Sequence, residues 1–182
     1  MWAILVFVPI GYLMSEHYVV LPVAEERIEF AHSIPTEASA WKILHVLGED
    51  CKCSRDVLAY LEERGISSAA SEAILLLGGK LETKLSLESR GFIVEISDAE
   101  ELCVSYGSEG VPYFQISDET NVMRYSGAYS KMGYSTTRGY LDLKNLELAK
   151  QGIETPNLPV LGCATSRRLR GALDPLALKY DF

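Results

Sequence analysis

Apolar positions along this chain fall into short blocks whose period changes from one block to the next. Lys42 to Leu47 (KILHVL) is a near-continuous apolar run stopped by Gly48, the pattern of a buried strand. From Ser54 to Arg64 the period turns helical. Val57, Leu58 and Leu61 share one face with Tyr60 beside them, and Gly65 closes the segment. Ala73 to Leu77 (AILLL) predicts a second buried strand, ended by Gly78-Gly79. Leu81, Leu85 and Leu87 predict an amphipathic helix reaching Arg90, with Gly91 after it. Phe92 to Ile96 is a third strand. Ser97 or Asp98 can cap the following helix, Ala99 to Tyr106, by accepting its free amide hydrogens.

After Gly107 the pattern becomes extended. Tyr113 to Ser117 and Val122 to Ser126 are two runs joined by Asp118-Glu119-Thr120-Asn121, a hairpin signal. Strands alternating with helices and then a hairpin predict an α/β sandwich, a central mixed sheet flanked by helices. Beyond Gly127 the periodicity weakens. Tyr140 to Lys150 reads as a helix with Leu141, Leu148 and either Leu143 or Leu146 facing inward, and Thr155 to Pro159 as a loop. Ala164 to Leu173 reads as a last short helix, stopped ahead of Pro175 because the residue before a proline avoids helical geometry.

Composition narrows the classes. With 182 residues there is room for one sizeable core and an appendage. An apolar fraction of 48% with 23% charged residues excludes wholesale disorder. The net charge of −8 argues against a nucleic-acid partner, whose footprint is a basic face. The run Arg167, Arg168 and Arg170 is too short to reverse that. The first 14 residues carry no charge but fall short of the ~20 apolar residues that span a bilayer. We read them as an anchor or signal remnant, the alternative being a buried element packed on the domain. An anchor would place the rest in an envelope- or periplasm-facing compartment, where disulfides persist. The chain then divides into an apolar segment 1–14, a linker 15–40, a main domain 41–130 and a C-terminal extension 131–182.

Cys51 and Cys53 lie between a buried strand and the first turn of a helix. Helix starts present unpaired amides and partial positive charge, which favour the thiolate, the form that attacks disulfides. Lys52 works in the same direction, while Glu49 and Asp50 oppose it. A short cysteine pair on a loop is otherwise metal-binding or inert. Cys103 reads as a small buried core residue. Cys163, preceded by Gly162, opens the last predicted helix and repeats the same activating geometry, or else sits in a tail turn.

Lys42 to Arg64 resembles the first strand, active-site turn and helix of the thioredoxin-like superfamily. Leu102 to Ser130 resembles its helix end, cis-proline loop, terminal hairpin and following glycine, with Tyr106-Gly107, Gly110-Val111-Pro112 and Gly127-Ala128 in the family's order and spacing. The resemblance covers about residues 41 to 130 and implies a thioredoxin-like sandwich. It makes Cys51 the exposed nucleophile and Pro112 a cis-proline that exposes the Val111 backbone for strand pairing with substrate. Ser54 falls where the family usually has its resolving cysteine, so the motif departs to Cys-x-x-Ser with an extra Cys53. A serine hydroxyl cannot resolve a mixed disulfide; Cys53, Cys103, Cys163 or an external thiol would have to. A Cys51–Cys53 bridge would close a very short loop and be readily reduced. His45 stands where the family often keeps a buried acid, and could relay protons or simply be a core residue. The short cysteine turn and the Gly-Cys-Ala-Thr-Ser tail are similar to RedB-like, membrane-anchored thioredoxin-like proteins.

The resulting expectation is a thiol–disulfide oxidoreductase or isomerase acting on protein disulfides through Cys51. Cys53 or Cys163 resolves the adduct, and Pro112, Ser54 and His45 support it. That chemistry requires no cofactor and assigns no metal ligand; its partners are a protein thiol or disulfide, and a membrane through the N-terminal segment. Two alternatives stand beside it. Cys51 and Cys53 with His45 or Cys163 could hold Cu(I), which favours soft sulfur ligands. A non-catalytic thioredoxin-like binding module would retain the fold without the chemistry. A peroxidase is disfavoured because Gly48, not threonine, stands three residues before Cys51.

Overall fold

The structure, a computed structural model, describes residues 19–29, 41–131 and 139–175. Strands β1 (Lys42–Gly48), β2 (Ser71–Leu77) and β3 (Ile93–Ser97) alternate with helices α1 (Lys52–Arg64), α2 (Leu81–Ser89) and α3 (Ala99–Tyr106). Strand β4 (Gly110–Val111) leads through Pro112 into the hairpin β5 (Tyr113–Ser117) and β6 (Met123–Gly127). Helix α4 (Asp142–Lys150), strand β7 (Cys163–Ala164) and helix α5 (Arg167–Leu173) follow. The main sheet has the order β3-β2-β1-β5-β6. β1, β2 and β3 are mutually parallel, whereas β5 and β6 run antiparallel. β4 and β7 form a separate two-stranded ladder.

The central strand β1 reads as an unbroken apolar run because both of its faces are covered. Ile43 and Leu47 pack on one face with Val57, Leu58 and Leu61 of α1. Leu44 and Val46 pack on the other with Val111, Tyr113 and Leu102 of α3. Asp98 is the cap of α3, its carboxylate accepting from the Glu100 and Glu101 amides at 2.7 and 3.4 Å. The Asp118 carboxylate closes the hairpin by accepting from Thr120 N–H, Thr120 hydroxyl and Val122 N–H at 2.9, 2.7 and 2.9 Å. Because Val122 is spent on that turn, β6 starts at Met123 instead of Val122.

Four expectations differ. The segment 15–40 reads as a linker, yet its described part, 19–29, packs on the fold: Leu21, Ala24 and Ile28 are buried, and Leu21 bridges Val160. In α2 only Leu87 is buried, while Leu81 and Leu85 face solvent. α4 turns Asp142, Asn145 and Leu146 inward, so two of its three buried positions are polar. Cys163 does not open a helix. It lies in a strand, and Ser166, whose hydroxyl accepts from Leu169 N–H at 3.1 Å, caps α5 three residues later. Among the described residues no helix is long and apolar enough to cross a membrane, and the segment 1–14 lies outside them.

Candidate active site

Cys51 is the N-cap residue of α1, with extended backbone angles that turn the chain from β1 into the helix. Ser54 fixes this turn from inside: its buried hydroxyl accepts the Gly48 N–H at 3.0 Å. At the position where the family usually has its resolving cysteine, the side chain therefore serves the loop's own backbone. Pro112 follows a cis peptide bond, as the resemblance implies. The two segments meet across Gly48. A methyl group there would lie 3.1 Å from Val111 Cγ2 and 3.7 Å from Cys51 Cβ.

Cys51 differs from expectation in one respect. It is only 4% exposed, not the open nucleophile the resemblance implies. The C-terminal extension accounts for the cover. β7 lies antiparallel on β4 with Cys163 opposite Val111 and Ala164 opposite Gly110. Gly162 permits this approach, because a Cβ on it would overlap the Val111 carbonyl oxygen and come within 3.1 Å of Pro112 Cδ. Val160 and Ala164 join Cys51 and Val111 in the same apolar cluster, with Cys53 and Cys163 against it.

The sulfur of Cys51 is held well below the usual thiol range. The Cys163 thiol contributes most by hydrogen bonding to it, followed by Cys53. Burial opposes the shift, and the Ser54 amide and hydroxyl again favour the anion. Cys163 and Cys53 outrank the Ser54 amide among these causes, so the neighbouring thiols matter more than the helix start. None of the four cysteines is in a disulfide. Cys103 is half-buried, not a core residue, and burial and the nearby Glu109 and Glu100 push its thiol up.

His45 is fully buried with both ring nitrogens engaged. Nδ1 lies 2.6 Å from the Tyr129 hydroxyl and Nε2 3.0 Å from Glu72 Oε2. Glu72 also binds Arg64 at 2.9 and 2.6 Å, and Arg64 reaches Asp142 at 3.1 Å. His45 thus belongs to a buried polar network joining β1, β2, α1 and α4, and its ring bonds lead to that network instead of to a cysteine. Among the described residues, no group of three or more His, Cys, Asp or Glu side chains is arranged to hold a metal ion.

Sequence reasoning missed the anchor of β7. Glu109, just ahead of β4, accepts the Ser166 hydroxyl and the Arg168 guanidinium, and its carbonyl accepts the Thr165 N–H at 2.8 Å. The glycine before Cys163 and the arginines after it are visible in the sequence. Their purpose depends on a fold-back of more than 50 residues that no local pattern announces.

Neither protein-family models nor curated proteins give a match to the chain. Solved structures do. An uncharacterised conserved protein from Geobacillus kaustophilus aligns with a TM-score of 0.57 at 15% identity, over 80% of this chain and 92% of that one. A hypothetical protein from Sinorhizobium meliloti 1021 aligns with a TM-score of 0.53 at 16% identity, over 81% and 89%. A thioredoxin-like protein, solved in solution in its oxidised form, aligns more weakly, with a TM-score of 0.49 at 13% identity over 75% and 99%. The first two likenesses are of fold alone. With three parallel strands, an antiparallel hairpin beside β1 and a cis-proline between β4 and β5, the chain has the α/β fold, a mixed sheet flanked by helices, that the thioredoxin-like resemblance implies.

Proposed function

We propose that this protein is a thiol–disulfide oxidoreductase that exchanges protein disulfides through Cys51, in the envelope-facing compartment the N-terminal segment suggests. One observation carries the reading: the turn that places Cys51 at the head of α1 meets the Val111–cis-Pro112 segment across Gly48, with a second thiol, Cys163, on the strand paired to Val111. A thiolate is the attacking species in exchange, and a second thiol is what completes it.

In the forward step the Cys51 thiolate attacks one sulfur of a substrate disulfide. A Cys51–substrate disulfide forms, and the other substrate sulfur leaves as a thiolate. A neighbouring thiol then attacks the Cys51 sulfur, and the second substrate sulfur departs. The substrate gains two electrons, the protein dithiol becomes a disulfide, and the resolving thiol's proton ends on a substrate sulfur. A dithiol donor returns the protein to its reduced form.

Insulin reduction with dithiothreitol as donor tests the proposal. Cys51→Ser is expected to bring the rate down to that of dithiothreitol alone. Undiminished turnover in that variant removes the reading.

A further inference from the structure

We infer that residues 160–166 are a built-in substitute for substrate: β7 takes the place of an incoming extended chain on β4, presents Cys163 to Cys51 as the resolving thiol, and must lift before a protein disulfide can reach the sulfur. This rests on the exchange reaction proposed above, and adds which thiol resolves and what gates the site.

The backbone of Val111 offers one strand edge beside Cys51, and that edge is already paired with Cys163. Extended peptides bind exposed edges through such main-chain bonds, and one edge serves one strand at a time. Substrate and β7 therefore compete. Gly162 is shaped for this contact, since any side chain at 162 would collide with the Val111 carbonyl that the pairing brings close. Cys51 is nearly buried in the same apolar cluster as Val160 and Ala164 of this segment, with Cys163 packed against it.

Both ends of the strap are tethered. Val160 accepts from Leu21 N–H at 2.9 Å on one side. On the other, Glu109 holds Ser166 and Arg168, the latter with a side chain 73% exposed. Between them the ladder has only two residue pairs. Lifting it breaks a two-pair ladder and uncovers Val160 and Ala164, a local opening that leaves the five-stranded sheet intact.

The reaction then runs in a fixed order. β7 lifts, a substrate strand pairs with Val111, and the Cys51 thiolate attacks its disulfide. As β7 returns, the Cys163 sulfur attacks the Cys51 sulfur. The Cys51–substrate bond breaks, a Cys51–Cys163 bond forms, and the proton of Cys163 leaves with the substrate thiol. Re-pairing of β7 on β4 displaces the product strand in the same movement. Cys53 stays beside the sulfur without a strand to carry out that displacement.

Disulfide mapping by peptide mass spectrometry, after diamide oxidation of the full wild-type chain, is expected to show Cys51–Cys163. A Cys51–Cys53 linkage instead overturns the inference. In Cys163→Ser, the insulin assay is expected to accumulate an insulin-chain adduct on Cys51; steady turnover without it also overturns the inference. In Gly162→Val, Cys51 alkylation by iodoacetamide is expected to accelerate roughly tenfold or more as the strap is forced off. An unchanged rate in a folded variant counts against the gate. Should that variant fail to fold, the wild-type mapping and the Cys163→Ser adduct still decide. If Cys51→Ser abolishes insulin reduction but Cys51 pairs with Cys53, the exchange reading survives and only the strap's role falls.

Discussion

The Cys51 sulfur is subject to opposing influences, and their sum sets its chemistry. Burial favours the neutral thiol, whereas Cys163, Cys53 and Ser54 favour the anion and prevail. The carboxylate of Glu49, two residues earlier, is directed elsewhere: it accepts the Lys80 N–H at 2.5 Å and the Thr83 hydroxyl at 3.0 Å, at the start of α2. Its opposition, expected from sequence proximity alone, is thereby reduced. An ordinary thiol, with a pKa near 8.5, loses about tenfold in thiolate for each pH unit below that value. We expect Cys51 to behave otherwise. In the reduced full-length protein, peptide-resolved alkylation of Cys51 by iodoacetamide should stay nearly flat from pH 9 down to pH 6, while Cys103 falls away steeply, as its raised pKa requires. A Cys51 profile that bends between pH 8 and 9 contradicts the stabilised anion.

At the scale of elements, the hairpin depends on one carboxylate as the active-site turn depends on one hydroxyl. Asp118 satisfies two backbone amides and the Thr120 hydroxyl, and it pairs with Arg124 at 2.8 Å. These bonds hold its carboxyl at about 2, with the Thr120 hydroxyl contributing most. Asp118→Ala leaves those donors without their acceptor and is expected to cost about 1–3 kcal/mol in urea unfolding. A midpoint and slope equal to wild type would refute that role. This turn was legible in the sequence because all its partners are local. So were β1, β2 and β5, whose apolar runs reflect burial on two faces, and the Asp98 cap. α4 and β7 were not. The inward polar face of α4 makes sense only with Arg64, 78 residues away, bonded to Asp142. A two-residue strand such as β7 has no period to detect, and it forms because Gly162 and Glu109 fit a loop distant in sequence. The same division applies to the site. Cys51 could be placed at a helix start from its local neighbours, and Ser54 and Pro112 through the family resemblance, whereas the pairing of Cys163 with Val111 could not be read from any local pattern.

At the scale of the molecule, one buried network adds polar ties between β1, β2, α1 and α4 to their apolar packing and to the β1–β2 ladder. Glu72 on β2 accepts from Arg64 of α1, from the Ser67 amide at 2.6 Å and from His45 of β1. Asp142 of α4 accepts from Arg64 and, at 3.1 Å, from the Tyr60 hydroxyl. Burial raises the Glu72 carboxyl, but the Arg64 guanidinium and the His45 ring outweigh it and bring it down to about 2. The unfolded chain therefore takes up this proton more readily than the folded one, and stability rises with pH where that difference operates. The contribution, roughly 3 kcal/mol from the size of the shift, is fully present above the ordinary carboxyl value and lost as pH falls from about 4.5 towards 2. Glu72→Gln removes the titrating group and leaves Asp142 as the carboxylate that faces the Arg64 charge. Removing one partner of a buried pair costs about 3–5 kcal/mol where the other charge is left alone, and Asp142 keeps the loss below that range. Urea unfolding followed from pH 7 to pH 2 should then show two effects together: a less stable variant at neutral pH and a shallower decline in acid. Parallel acid limbs for variant and wild type would mean that the network holds the layers together without providing the pH dependence assigned to Glu72.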